Sequence, residues 1–381
     1  MTACAAACAD APSDETLARR YPLDRWYVAG FADELKDQPL GRRFLDQPVV
    51  MFRTPDGQVA ALEDRCCHRS LPLSRGTLEG QGLRCGYHGL LFDALGRCLE
   101  IPGQPKVPTK ARVRAYHLRE KDHILWIWMP RQAGTAPICE PPDYPVHDDP
   151  RYRFGHGSYH YNAPWQLIHD NLLDLSHLGY VHLKTIGGNA RLHMNAPTRV
   201  SSEGLGVTVV RHMAGSTPPP TYRAAWPFGE TCDRWQEIVF QPSHLAIWTG
   251  AMAPGEAALD DPARGGFHMR GFHGITPESE TTAHYFWSMS ANRHPDLPDT
   301  LSTVIEQTRF TFDEDKGVIE SQWAAMQRSG GPSAWVDIHT DAGGVRARRV
   351  ISGLIAAQQV AAGAADLSPS AAAGAVDGVV A

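Results

Sequence analysis

Short apolar runs separated by Gly, Pro and Asp dominate residues 20–131, among them Trp26-Tyr-Val-Ala-Gly30, Pro48-Val-Val-Met-Phe52, Val59-Ala-Ala-Leu62 and His123-Ile-Leu-Trp-Ile-Trp-Met129. Runs this short, punctuated by turn residues, predict a small antiparallel β domain. From 132 to 150 (QAGTAPICEPPDYPVHDDP) Pro and Asp take over, and the stretch reads as a linker. Beyond it, over 151–361, the pattern predicts a helical segment at 166–178 and strand-like runs at 206–211, 236–249 and 283–289. A long helix is expected over 299–327 and another near 344–361. Strands and helices are segregated rather than alternating, which predicts an α+β fold. The leader 1–19 and the Ala/Gly/Ser-rich tail 362–381 lack both periodicities and read as disordered.

Composition narrows the function more than the fold. The chain has 381 residues, 43% apolar and 20% charged, enough for one large or two medium domains with buried cores. A net charge of −6 without a long Lys/Arg run leaves no electrostatic footprint for nucleic acid. No apolar stretch approaches the ~20 residues that span a bilayer. The N-terminus lacks the basic start and apolar core of a signal peptide, so a cytoplasmic location is expected. Eight cysteines, at 4, 8, 66, 67, 85, 98, 139 and 232, are too few for a disulfide scaffold of this length. Those beside histidines are candidates for a metal site.

Two constellations carry candidate chemistry. In the first, Cys66-Cys67-His68 is followed, sixteen residues on, by Cys85-Gly-Tyr-His88. Two short turns, each with one thiolate and one imidazole, can clamp a small inorganic centre. A structural zinc ion also accepts two Cys and two His, but its usual spacing is Cys-x2-4-Cys rather than Cys-x-His. In the second, Asn171, Asp174 and His177 recur at steps of three, on one face of a helix. His182 lies five residues beyond His177, and an ideal helix would rotate it about 140° away. Both imidazoles reach one metal only if the helix distorts or ends near Gly179.

The runs Cys66-Cys-His-Arg-Ser-Leu-Pro-Leu-Ser-Arg-Gly76 and Arg84-Cys-Gly-Tyr-His-Gly-Leu-Leu-Phe-Asp93 resemble the Rieske domain of ring-hydroxylating and demethylating oxygenases. Cys67 stands where that family usually has Pro. Asn171-x-x-Asp174-x-x-His177-x4-His182 matches the family's mononuclear iron motif, and Phe312-Asp-Glu-Asp315-Lys-Gly-Val-Ile-Glu320 matches its late acidic helix. Within the family the chain is most similar to the vanillate O-demethylase and dicamba O-demethylase group.

The resemblance implies a Rieske β domain followed by a helix-grip (START-like) catalytic domain. It implies a [2Fe–2S] cluster on Cys66, His68, Cys85 and His88, and a non-heme Fe(II) on His177, His182 and Asp315. Spacing leaves Asp313 open as the third ligand, and Glu314 and Glu320 are expected on a solvated face. Asp174 is expected to join His177 to His88 of a neighbouring subunit in a head-to-tail homotrimer, with Asn171 in the same constellation. An NAD(P)H-dependent reductase with flavin and an iron–sulfur centre is implied as donor. The implied reaction is monooxygenation of a small aromatic, by hydroxylation or O-demethylation, with O₂. A ring dioxygenase, or N-demethylation on the same scaffold, would use the same ligands. His284 and Phe286 on one strand face, or Trp287 on the other, are candidates to line the cavity. Met252 and Met289 carry no special claim. The arginines of 341–349 are expected to form salt bridges.

Overall fold

The computed structural model describes residues 12–297, 300–330 and 335–366, and they form an α+β fold. The N-terminal half is built from strands β1 (Arg25–Phe31), β2 (Leu40–Phe44), β3 (Gln47–Arg53), β4 (Val59–Glu63), β5 (Thr77–Glu79), β6 (Gly82–Arg84), β7 (Leu91–Asp93), β8 (Cys98–Glu100), β9 (Ala115–Tyr116), β10 (Leu118–Lys121) and β11 (Ile124–Met129). They pair antiparallel in three sheets, ordered β1-β11-β10, β2-β3-β4-β9 and β5-β6-β7-β8. Strand alternation divides β3 between two cores. Val49 and Met51 pack with Phe44, Trp126 and Trp128. Val50 and Phe52 pack with Leu73, Leu83 and Phe92, in the small core that also holds Cys66 and Cys85.

The C-terminal half contributes β12 (Tyr152–Tyr161), β13 (Thr198–Glu203), β14 (Gly206–Ser216), β15 (Cys232–Gln241), β16 (His244–Met252), β17 (Phe267–Pro277) and β18 (Ala283–Asn292). These form one antiparallel sheet in the order β12-β18-β17-β16-β15-β14-β13. Helix α1 (Asp14–Arg20) belongs to the N-terminal segment; the C-terminal half has α2 (Trp165–Leu173), α3 (Leu178–Val181), α4 (Ala190–Asn195), α5 (Pro220–Ala225), α6 (Thr300–Arg328) and α7 (Ala342–Asp366). Helix α6 packs on β12 and β18, while α2 and α7 pack together and reach β17 and β14. The other side of the sheet carries Phe272 and Phe286 into the core of β1 and β11. Main-chain bonds from Leu45 N–H to Pro277 O (2.8 Å) and from Asp46 N–H to Glu278 O (2.9 Å) tie the two halves. Among the described residues, no helix is long and apolar enough to cross a membrane.

Several expectations need correction. The run at 236–249 is two strands, β15 and β16, reversed at Pro242-Ser243 with Gln241 opposite His244. Strands β12, β13 and β17 were hidden by polar and glycine-rich sequences. Residues 14–19 of the predicted disordered leader are helical: Ser13 caps α1, Leu17 is buried, and Gln358 on α7 donates to Ala18 O and Tyr21 O (2.8 and 2.9 Å). At the other end, α7 continues through Asp366, past the expected start of a disordered tail. Residues 1–11 and 367–381 of those two segments lie outside the described residues. Within 132–150, a 3₁₀ turn at Pro145–His147 buries Tyr144 and His147 against the sheet.

Candidate metal centres and active site

The two sulfur-bearing turns are built alike. Cys66 N–H donates to Leu71 O and Ser70 N–H to Cys66 O (2.9 and 3.0 Å). Cys85 N–H donates to Leu90 O and Gly89 N–H to Cys85 O (2.8 and 3.1 Å). Each loop closes on a residue of positive φ, Ser70 at 57° and Gly89 at 73°. The repeat presents Cys66 and Cys85 inward, where burial pushes the Cys66 thiol up to about 11. His68 and His88 lie on the exposed rim with ring centroids 4.5 Å apart. Cys67 is exposed, so the thiol beside the ligand pair is not part of that buried core. Two buried sulfurs under two rim imidazoles form the donor set a Rieske cluster requires.

The second centre forms where α2 ends. Helix α2 buries Trp165, Leu167, Ile168, Leu172 and Leu173 and stops at Asp174, whose φ of −123° is no longer helical. The Asp174 carboxylate accepts from Ser176 N–H and Oγ–H (both 2.9 Å) and starts a 3₁₀ turn, Leu175–His177. This break, rather than one at Gly179, turns His182 back towards His177. Gly179 has another duty: a Cβ there would lie 2.3 Å from Ala190 Cα, so it lets α3 and α4 touch.

One ligand atom from each of His177, His182 and Asp315 falls within 4.8 Å of the others. Asp315 Oδ1 lies 3.4 Å from His177 Nε2 and 3.1 Å from His182 Nε2. Acceptors on the far side of both rings fix the tautomer. His177 Nδ1 donates to the Asp174 main-chain carbonyl (2.7 Å), and His182 Nδ1 donates to Glu314 Oε2 (2.9 Å). With Nδ1 engaged on the outside, each ring turns its Nε2 inward, towards Asp315. Burial alone would push the Asp315 carboxyl up, but the two imidazoles hold it below the usual carboxylate range, as an anion. Asn171 Nδ2 donates to Asp315 Oδ1 (3.1 Å) and fixes its orientation. Two imidazole Nε2 atoms and one carboxylate oxygen suit a divalent iron with open positions.

The remaining candidates sort by the same geometry. Asp313 is on the exposed side of α6, with Tyr159. Glu314 is not on a solvated face; it holds His182. Glu320 accepts from Asn162 N–H (2.8 Å) and from Lys316. Asp174 meets His177 through its main-chain oxygen, not its carboxylate, which lies 3.4 Å from Arg211. His284 Nε2 donates to Arg43 O (2.9 Å), and Phe286 packs in the core between the halves, so this face does not line the cavity. Trp287 packs in the inner core of the C-terminal sheet and Met252 is buried. Met289 does line the cavity beside the triad, about 580 Å³ of atom-free space with its mouth included, whose apolar wall also has Leu172, Leu178, Ile247, Met269 and Phe312. In the 341–349 run, Arg348 pairs with Asp170.

A family model for the vanillate O-demethylase oxygenase C-terminal domain matches residues 161–357, and one for the Rieske [2Fe–2S] domain matches residues 25–111. The vanillate O-demethylase oxygenase subunit of Pseudomonas sp. (strain HR199 / DSM 7063) is 36% identical over 368 residues, covering 92% of this chain and 99% of that protein. The crystal structure of dicamba monooxygenase bound to dicamba superposes with a TM-score of 0.79 at 32% identity, covering 90% of this chain and 99% of the other. The same protein with non-heme iron and dicamba gives 0.70 at 29%, with the same coverage. Matches over both halves, to a Rieske domain and to an iron-bearing catalytic domain, make this chain a member of the Rieske non-heme iron oxygenases of the vanillate O-demethylase type, with a [2Fe–2S] cluster and a mononuclear iron as its cofactors.

Proposed function

We propose that the chain is the terminal oxygenase of a multicomponent monooxygenase that hydroxylates or O-demethylates a small aromatic acid or aryl methyl ether. The observation that carries this reading is the convergence of two imidazole Nε2 atoms and one carboxylate on an apolar cavity. Cys66, His68, Cys85 and His88 hold the cluster; His177, His182 and Asp315 hold the iron. When bound, the two centres supply single electrons and the activation of O₂ beside the substrate. The chain's own residues do the placing. Leu172, Leu178, Met269, Met289 and Phe312 exclude water and press a flat ring against the opening of the triad. Glu314 and the Asp174 carbonyl keep protons on the outer nitrogens, and Asn171 keeps Asp315 turned inward. On a methoxy substrate, hydroxylation of the methyl carbon gives a hemiacetal that collapses to a phenol and formaldehyde.

A separate NAD(P)H-dependent reductase with flavin and an iron–sulfur centre would feed the exposed rim of His68 and His88, where Tyr87 is 63% exposed. The same rim would meet Asp174 of a neighbouring copy in a head-to-tail homotrimer, in the cytoplasm. The test combines the purified protein with such a reductase, NADH and a panel of methoxylated aromatic acids. The expected result is formaldehyde in step with NADH consumption. His177→Ala should abolish product while the reduced cluster keeps its EPR signal. Ring phenols or dihydrodiols without formaldehyde would sink demethylation, and full activity in His177→Ala would sink the assigned iron site.

A further inference from the structure

The helix-facing side of the C-terminal sheet is apolar except at a few positions, and two of these lie side by side on β15. Cys232, Ile238 and Phe240 of that strand belong to the inner core. Strand alternation puts Arg234 and Gln236 on the same face, and both line the cavity beside the His177–His182–Asp315 triad. Arg234 is 1% exposed. It donates through Nη1 to Gly187 O (3.1 Å) and through Nη2 to Ile186 O (3.3 Å), and its guanidinium lies 4.9 Å over the Tyr222 ring. Among the described residues its Nε has no hydrogen-bond partner, and neither has Gln236 Oε1.

Carbonyl oxygens satisfy N–H groups but do not neutralise a charge. The other two buried arginines of the C-terminal half, Arg211 on β14 and Arg264 in the loop before β17, each have a carboxylate: Asp174 lies 3.4 Å from Arg211, and Glu237 lies 2.7 Å from Arg264. No ion pair among the described residues includes Arg234. His193 Nε2, 3.4 Å from Nη1, is no counter-ion either: an imidazole is neutral or cationic, and burial keeps this one neutral. Among the described residues, then, a buried cation with no carboxylate in ion-pair reach faces the cavity that the metal triad also lines.

We propose that the substrate brings the anion. A small aromatic bearing a carboxylate or sulfonate would place that group on Arg234, with a donor of its own or a water meeting Gln236 Oε1. Arg234 then determines which molecules the cavity accepts and which end of them points away from the metal triad. This assignment of substrate class rests on the oxygenase reading above.

The test measures binding to the cofactor-loaded protein without reductase, by calorimetry. The probes are 3-methoxybenzoate, 3-methoxybenzenesulfonate, and the neutral methyl 3-methoxybenzoate and 3-methoxybenzyl alcohol. At least one anion should bind the wild type about 100-fold more tightly than the neutral compounds. The carboxylate and sulfonate arms distinguish the two headgroups. Arg234→Gln should erase the preference while leaving neutral ligands within about threefold, and Arg234→Lys should retain part of it. A purely structural arginine would lower all affinities together. Equal binding of anions and neutrals by the wild type overturns the proposal, as does binding of none of the four at millimolar concentration. So does an anion preference that survives in Arg234→Gln. Should that variant not fold, the wild-type comparison and Arg234→Lys decide. The two readings also fail separately. Anions held through Arg234 but never oxidised with reductase present would sink the oxygenase substrate reading alone. Neutral methoxyarenes demethylated without anion preference would sink this inference alone.

Discussion

Glu314 is placed to act on the proposed metal centre from outside its ligand set. Its carboxylate, 2.9 Å from His182 Nδ1, holds a proton on the outer nitrogen, which turns Nε2 towards the metal position and makes it a stronger ligand. Glu314→Ala should therefore weaken Fe(II) binding about 10- to 100-fold, measured by competition with a chelator, with the visible spectrum of the cluster unchanged. Asp313→Asn should leave that affinity as it is. Unaltered Fe(II) affinity in Glu314→Ala would refute the role. The grouping of His177, His182 and Asp315 was legible from the sequence through motif spacing, but Glu314 was not, because no spacing rule marks a residue that acts through another. The choice between Asp313 and Asp315 was legible in a way that spacing from the histidines hides. Thr308, Thr311, Phe312, Asp315 and Ile319 recur at helical period and are all buried on one side of α6. Asp313 is about 200° from Asp315 around the same helix and faces out.

Among the elements, β17 was the one least visible beforehand. Its sequence, Phe267-His-Met-Arg-Gly-Phe-His-Gly-Ile-Thr-Pro277, is broken by two glycines that read as loop, yet it is a central, almost wholly buried strand. The glycines are required by close neighbours. A Cβ on Gly271 would lie 2.5 Å from His273 Nε2, and one on Gly274 would lie 2.5 Å from Val28 Cγ2, on β1 of the N-terminal half. Only tertiary contact explains them, so local pattern could not. Gly274→Ala should lower stability by about 1–3 kcal/mol by wedging β17 from β1. In a double-mutant cycle with Val28→Ala, urea unfolding should show a favourable coupling of at least about 1 kcal/mol. Strictly additive losses would show that the two strands do not press on each other here. The helices were more legible, since α6 and α7 differ from their expected ranges only near the ends. α2 was overextended because Asp174, which stops it, reads equally well as the next polar position of the helix.

The whole molecule is held together by a seam between its halves that is rich in buried imidazoles. His147, from the segment expected to be only a linker, donates from Nδ1 to Asp122 O (2.7 Å) and shares a bond with Ser288 Oγ on β18 (2.7 Å), stacked on Phe154 at 4.1 Å. His244 stacks on Phe272 at 5.4 Å and meets the edge of Trp126. Burial lowers both to about 4, against about 6.5 in an unfolded chain. Between those values the unfolded chain takes up a proton that the folded one refuses, so stability rises with pH. The contribution is fully present above about pH 6.5 and is lost as pH falls towards 4, at about 1.4 kcal/mol per pH unit for each histidine. Urea unfolding at pH 7, 6 and 5 should therefore show the halves parting more easily in acid. His147→Gln, which cannot take up the proton, should have a shallower dependence by about one proton's worth. Parallel slopes for wild type and variant would mean that this seam does not couple protonation to folding, and that acid acts through the surface carboxylates instead.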